Sequence, residues 1–148
     1  MFRPISYNMY DKVIVPTDGS EIAEIGVEEG LELAKNLDIP ALSIYVIDFS
    51  TLEELGEGPH KDARRDMERI GERALTSVRK KAHEIGVDIE TRNLIGKPYR
   101  KIVESANKND IIYISSHGAS GFSEIIFGST TEKVLNDADC NVAVVKGK

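Results

Sequence analysis

The chain has 148 residues, of which 41% are hydrophobic and 30% are charged, and its formal net charge is -6. This size and composition predict one globular domain over residues 1–148, with an N-terminal extension at 1–10. Because binding to a phosphate backbone relies on a basic face, the acidic balance argues against a nucleic-acid partner. The single cysteine, Cys140, excludes an internal disulfide and fits a reducing compartment. The sequence lacks a membrane-span pattern and a signal-peptide pattern, so we expect no membrane association and a cytoplasmic location.

Strand and helix patterns alternate along the chain. β-branched and apolar runs predict strands at 12–15, 41–47, 87–94, 110–114 and 141–146. Helical periodicity predicts four helices: two at 21–37 and 62–85, a third that begins at 98, and a fourth that ends at about 137. Ser20 is placed to cap the first helix, and Gly86 to end the second. The apolar residues expected on the core face of the second helix are Met67, Ile70, Ala74, Val78 and Ile85. The order β-α-β-α-β-α-β-α-β predicts an α/β fold with a parallel sheet and helices on both faces.

A glycine-containing segment joins the fourth strand to the last helix. Gly118 and Gly128 lie between the end of a buried strand and a helix that opens at Ser129 and Thr130. Ligands of open α/β sheets bind at such strand ends, and the free N–H groups of a helix start favour an anion. The segment therefore predicts a phosphate-bearing ligand. An alternative that needs no ligand is a capping box formed by Ser129 and Glu132.

A second candidate position follows the first strand. Asp18 comes directly after Val13-Ile14-Val15-Pro16-Thr17, so its carboxylate is expected at the same crevice, because the strands that flank the switch point present their C-terminal ends together. The alternative is that Asp18 only shapes an Asp-Gly turn. Other chemistries lack support: the three histidines show no metal-ligand spacing, and the chain has neither a Walker A lysine motif nor a nucleophile elbow.

Several segments, in the right order, resemble the universal stress protein family. They are residues 13–20, the Gly96-Lys97-Pro98 turn, the spacing of nine residues between Gly118 and Gly128-Ser129, and the ending from Cys140 to Val145. The resemblance implies an open, Rossmann-like sheet of five parallel strands in the order 3-2-1-4-5. It also implies membership of the nucleotide-binding subgroup and a homodimer joined through the last strand. The residues that would form the dimer interface are Val142, Ala143, Val144 and Val145.

The same resemblance implies a site for ATP, or for ADP or AMP, at the crevice between the first and fourth strands. The nucleotide-binding residues that it implies are Pro16, Thr17, Asp18, Val46, Ser115, His117, Gly118, Gly121, Gly128, Ser129 and Thr130. Asp18 would accept hydrogen bonds from the ribose or hold Mg²⁺ on the phosphates. The chain departs from the family's signature at Ser115, which stands where the signature has its first glycine. A serine there would crowd the ligand, restrict the backbone or add a hydroxyl donor.

The sequence therefore favours a nucleotide-dependent stress or signalling module with an unknown protein partner. The segment 48–60 is expected to act as a lid over bound nucleotide. With no obvious water-activating residue, we expect a binding protein with slow ATP hydrolysis at most, not a dedicated enzyme. Two alternatives stay open: a nucleotide-free dimeric scaffold whose phosphate site Ser115 has closed, and a very slow ATPase.

Overall fold

The computed structural model describes residues 8–50, 60–117 and 127–147. Most of the expected lid, as well as Gly118 and Gly121, lies outside these ranges. The strands are β1 (Val13–Pro16), β2 (Ala41–Ile47), β3 (Ile89–Ile95), β4 (Ile111–Ser115) and β5 (Asn141–Val145). The helices are α1 (Glu21–Leu37), α2 (His60–Ile85), α3 (Pro98–Glu104) and α4 (Ser129–Asp137). Among the described residues, no helix is long and apolar enough to cross a membrane.

The five strands form one parallel sheet in the order β3-β2-β1-β4-β5. The predicted fold class and strand order are therefore confirmed. In register, Val13 of β1 is opposite Ala41 of β2 on one side and Ile111 of β4 on the other. The chain thus moves from β1 outward in one direction, then returns past β1 to build β4 and β5. The switch point lies between β1 and β4, and their C-terminal ends diverge there to leave a crevice.

The two faces of the sheet bury separate apolar clusters. Strand alternation turns Val13 and Val15 toward α1 and α2, where they pack with Val27, Leu31 and Val78. The intervening Ile14 points to the opposite face, where α3 and α4 cover it with a cluster whose buried members are Leu42, Ile44, Ile102, Ile112, Ile114 and Val134. Helices therefore cover both faces, as the alternating pattern predicts, and the crevice opens on the α3/α4 face.

One residue of the predicted core face of α2 is placed differently. Ile70 is 52% exposed, whereas Leu75 and Ala82 are 1% and 0% exposed. The residue that meets the sheet one turn before Leu75 is Gly71, where a Cβ would lie 2.7 Å from a ring carbon of Tyr45 and 2.8 Å from the Asn93 amide. Because Gly71 occupies the contact position, its neighbour Ile70 is turned to solvent. The prediction that Ile70 faces the core is wrong.

Candidate functional site

A crevice of about 380 Å³ lies at the C-terminal ends of β1, β2 and β4. All the predicted nucleotide-binding residues that the structure describes line it: Pro16, Thr17, Asp18, Val46, Ser115, His117, Gly128, Ser129 and Thr130. The crevice also has walls that the sequence interpretation did not assign to it: Ala23, Ile44, Pro98, Ile102, Ile114 and Thr131. Helical and strand periodicity identifies several of these residues as core, but does not predict that they also border a crevice. The volume of the crevice falls in the range of about 300–1,000 Å³ that small-molecule sites occupy.

The crevice is apolar at one side and polar at the other. Ile44, Val46 and Ile102 supply an aliphatic surface that continues the core under α3 and α4. Asp18 and the first residues of α4 supply the polar side. Such a division suits a ligand with a flat apolar part and a charged part.

The loop after β1 holds the Asp18 carboxylate in a defined turn. Asp18 Oδ1 accepts a hydrogen bond of 2.9 Å from the backbone N–H of Ser20, and Thr17 Oγ1 accepts one of 3.0 Å from Gly19. Gly19 has φ +82°, a left-handed conformation that favours glycine. Ser20 in turn caps α1, because its hydroxyl oxygen accepts from the N–H of Ala23 at 3.1 Å. Asp18 is therefore a turn residue that also lines the crevice, so the two roles are compatible.

The Ser115 hydroxyl is hydrogen-bonded within the protein. Ser115 ends β4, and because Ile114 packs on the α3/α4 face, strand alternation directs the Ser115 side chain toward the α1 face. The hydroxyl donates a hydrogen bond of 2.8 Å to the carbonyl of His117. The carbonyl of Ser115 accepts a buried hydrogen bond of 2.8 Å from the hydroxyl of Thr131. These two bonds fix the end of β4 against its own turn and against α4.

Ser116 links the turn after β4 to β5 and to the start of α4. Its N–H donates to the carbonyl of Val145 and its carbonyl accepts from the N–H of Gly128, both at 2.8 Å. The Ser116 hydroxyl lies 2.9 Å from Nδ1 of His117. The polar wall of the crevice is therefore anchored from two neighbouring elements.

The first turn of α4 leaves backbone donors toward the crevice. Gly128 is the N-cap, with extended dihedrals of φ -62° and ψ 162°, and its carbonyl accepts from the N–H of Glu132 at 3.0 Å. No side chain caps this helix within the described residues. The alternative of a capping box is therefore wrong, because Ser129 is the first helical residue and not the cap. An uncapped helix start presents free N–H groups and a partial positive charge, which favour an anion.

Two further observations concern a titratable group near the crevice and the groups that could bind a metal. Burial raises the pKa of Tyr45, and the negative charge of nearby Asp18 raises it further, so the phenol stays neutral at ordinary pH. No group of three or more His, Cys, Asp or Glu side chains that would hold a metal ion is present in the described ranges. Among the described residues that line the crevice, Asp18 is the only carboxylate.

The edge strand β5 carries the residues of the predicted dimer interface. Val142, Ala143 and Val144 are partly buried, and Val145 is 7% exposed. Val142 and Val144 pack on the α3/α4 cluster, whereas Ala143 packs on the α1/α2 cluster. In the described part of the chain, β5 pairs with β4 alone, so its outer backbone edge is open to another strand.

A doubly wound parallel sheet with a crevice at its switch point, and beside it a helix start that no described side chain caps, defines a class of α/β ligand-binding domains. The model of the Universal stress protein family matches residues 9–146. The chain is also 37% identical over 142 residues to universal stress protein MJ0531 of Methanocaldococcus jannaschii, covering 94% of this chain and 84% of that protein. The chain belongs to the universal stress protein family.

Solved structures share the fold over nearly the whole chain. The structure of MJ0577, a universal stress protein of the same archaeon, has a TM-score of 0.77 and 29% identity, and the match covers 95% of this chain and 98% of that one. The universal stress protein from Archaeoglobus fulgidus in complex with dAMP has a TM-score of 0.63 and 18% identity, over 93% of this chain and 99% of that one. The second similarity extends to the fold alone.

Proposed function

We propose that this protein binds an adenine nucleotide in the crevice between β1 and β4 and that nucleotide binding controls its affinity for a protein partner. The observation that carries the proposal is the joining of an apolar slot, the Asp18 carboxylate and the uncapped start of α4 in one cavity of about 380 Å³. ATP is the proposed ligand, with ADP and AMP as related possibilities. The dAMP complex of the relative from Archaeoglobus fulgidus supports an adenine nucleotide as the ligand class.

Each part of a nucleotide has a counterpart in the crevice. The adenine ring would lie against Val46 and Ile102, whose side chains offer aliphatic surface. The ribose hydroxyls would donate to Asp18, and the phosphates would accept from the backbone N–H groups that follow Gly128. Asp18, the carboxylate among the described lining residues, would hold Mg²⁺, which would offset the negative charge of the phosphates.

The geometry of Ser115 supports an open phosphate site. Its hydroxyl donates to the carbonyl of His117 and therefore belongs to the turn that shapes the wall. With its hydroxyl bonded in this way, a serine at position 115 does not fill the crevice. It also does not need a left-handed backbone, because Asp38 is the one non-glycine residue with a positive φ among the described residues. This is the reason to prefer nucleotide binding to the alternative of a scaffold with a closed site.

We infer a homodimer through β5, since this strand offers an open backbone edge and partly exposed apolar side chains. Hydrolysis, if it occurs in this crevice, is expected to be slow. Nδ1 of His117 lies 2.9 Å from the Ser116 hydroxyl, and Oδ1 of Asp18 accepts from the N–H of Ser20. These hydrogen bonds tie both side chains to the turns beside the crevice.

The test is a thermal shift of protein stripped of ligand, measured with ATP, ADP and AMP and with or without Mg²⁺. A ligand that binds only the native state adds about 2.7 kcal/mol at a hundredfold excess over its dissociation constant. The matched variants are Gly128→Val, which places a branched side chain where the phosphate would approach, and Asp137→Val at the other end of α4. Gly128 has the extended dihedrals that valine prefers, so this variant is expected to fold.

We expect nucleotide to stabilise the wild type and the Asp137→Val variant but not Gly128→Val. If no nucleotide stabilises the wild type, the nucleotide-free scaffold becomes the better hypothesis. If Gly128→Val responds as strongly as the wild type, the phosphates do not bind at the start of α4.

A further inference from the structure

Two cationic side chains lie against one aromatic ring beside the crevice. The Lys133 ammonium nitrogen is 5.0 Å from the centroid of the Tyr99 ring, and the Arg100 guanidinium carbon is 5.8 Å from the same centroid. Arg100 also donates a hydrogen bond of 3.4 Å to the Tyr99 hydroxyl. Both distances lie within the range of about 6 Å in which a ring attracts a cation. Two positively charged groups, those of Arg100 and Lys133, therefore lie at the Tyr99 ring between α3 and α4.

This cluster adjoins the polar end of the crevice. Tyr99 directly follows Pro98, which lines the crevice at the first position of α3. Lys133 comes three residues after Thr130, another lining residue, so the two lie on one flank of α4 about 4.5 Å apart along the helix axis. Lys133 itself does not line the crevice, and its backbone lies about one helical turn from the start of α4, where the proposed function places a phosphate.

Lys133 makes no ion pair in the described part of the chain, whose ion pairs include Lys12, Lys81 and Lys101. The charges of Glu104 and Asp137 act on the neighbouring Arg100 instead. A cation–π contact at an exposed site is weak, so it keeps the side chain near the ring without fixing its position. In a chain with net charge -6, a cation without a carboxylate partner at the mouth of an anion site is available to a negatively charged ligand.

We propose that Lys133 sets the preference of the crevice for nucleotides with more than one phosphate. This inference rests on the proposed function, because it assigns the first phosphate to the start of α4. The single phosphate of AMP would be satisfied there by backbone N–H groups. The additional phosphates of ADP and ATP would extend beyond that position, toward the Lys133 ammonium.

Isothermal titration with AMP, ADP and ATP at fixed ionic strength and fixed Mg²⁺ tests the inference. The variant is Lys133→Met, which keeps the length of the side chain and removes its charge. Lys133→Arg restores the charge, and Lys35→Met makes the same change on an exposed position of α1 that does not line the crevice. We expect Lys133→Met to weaken ATP and ADP by about tenfold and to leave AMP within about twofold of the wild type. Lys133→Arg and Lys35→Met are expected to behave as the wild type does.

The outcomes separate this inference from the proposed function. If the wild type binds none of the three nucleotides, the proposed function fails and the inference fails with it. If the wild type binds them but Lys133→Met keeps the wild-type ratio of ATP to AMP affinity, the inference alone is overturned. It is also overturned if Lys133→Met weakens AMP as much as ATP. Thermal unfolding of each variant without ligand shows whether a change in affinity has a separate structural cause.

Discussion

The role of Asp18 can be divided experimentally, because its carboxylate serves a turn and lines the crevice at the same time. Oδ1 accepts an exposed hydrogen bond of 2.9 Å from the N–H of Ser20. An asparagine amide oxygen can accept the same bond, whereas alanine cannot. Asp18→Asn should therefore keep the free energy of unfolding of the wild type. Asp18→Ala should lose about 0.5–1 kcal/mol of it, since an exposed hydrogen bond contributes at the lower end of the usual range.

Nucleotide affinity should respond differently to the same pair of substitutions. A hydrogen bond from a ribose hydroxyl to a carboxylate contributes about 1.5–3 kcal/mol, which corresponds to roughly 10- to 150-fold in the dissociation constant. Asp18→Ala should lose this whole amount. Asp18→Asn replaces it with a neutral hydrogen bond, so it should weaken ATP by roughly fivefold to tenfold without changing stability.

The assay combines urea denaturation of the free protein with calorimetric titration of ATP. Asp88→Asn, an exposed position at the opposite end of the sheet, provides the charge-matched control. Repeating the titration in EDTA separates the two chemical roles, because an effect that disappears without Mg²⁺ acts through the cation. Equal ATP affinity for the wild type and both Asp18 variants would refute the reasoning and leave Asp18 as a turn residue.

Three further predictions concern the scaffold around the crevice. Gly30→Ala should destabilise the fold by about 1–2 kcal/mol in urea denaturation, because the added Cβ would overlap Val15 and this overpacking exceeds the gain in helix propensity. An unchanged midpoint of urea denaturation would contradict this prediction. Thr131→Val should lose about 1–3 kcal/mol of stability by removing the buried donor to the Ser115 carbonyl, and a variant as stable as the wild type would show that this bond contributes nothing. Because the pKa of Tyr45 is raised above 10.0 in the folded state, the contribution of the neutral phenol to stability is present below pH 10 and declines as the pH rises beyond that value. Tyr45→Phe should flatten this decline in the free energy of unfolding. If the wild type and the variant lose stability identically at alkaline pH, the raised pKa is contradicted.

Local sequence signals predicted the order of elements well. α1 runs from Glu21 to Leu37, and Ser20 caps it through the N–H of Ala23. β2 occupies residues 41–47, as its apolar run predicts. These predictions are confirmed because periodicity and helix capping depend on neighbours within a few residues. The strand order followed from the resemblance to the family, and the pairing of β1 with both β2 and β4 confirmed it.

Details that depend on distant contacts were not predictable in this way. The sequence pattern of α4 allows Ser129 to cap the helix, but Gly128 takes that position, and its N–H donates to the carbonyl of Ser116. Ile70 matches the apolar spacing of α2, yet Gly71 is the residue that faces the sheet. In both cases the choice is made by an element that lies many residues away in the chain.

The sequence by itself determined the alternation of strands and helices, the position of the glycine-containing segment between β4 and α4, and the placement of Asp18 at a strand end, since each depends on local backbone preference and hydrophobic pattern. Only the tertiary structure decided where the Ser115 hydroxyl points and that Tyr99 and Lys133 meet beside the crevice. The physical reason is that these contacts join side chains on separate elements, and their distances are fixed by how α3 and α4 pack on the sheet.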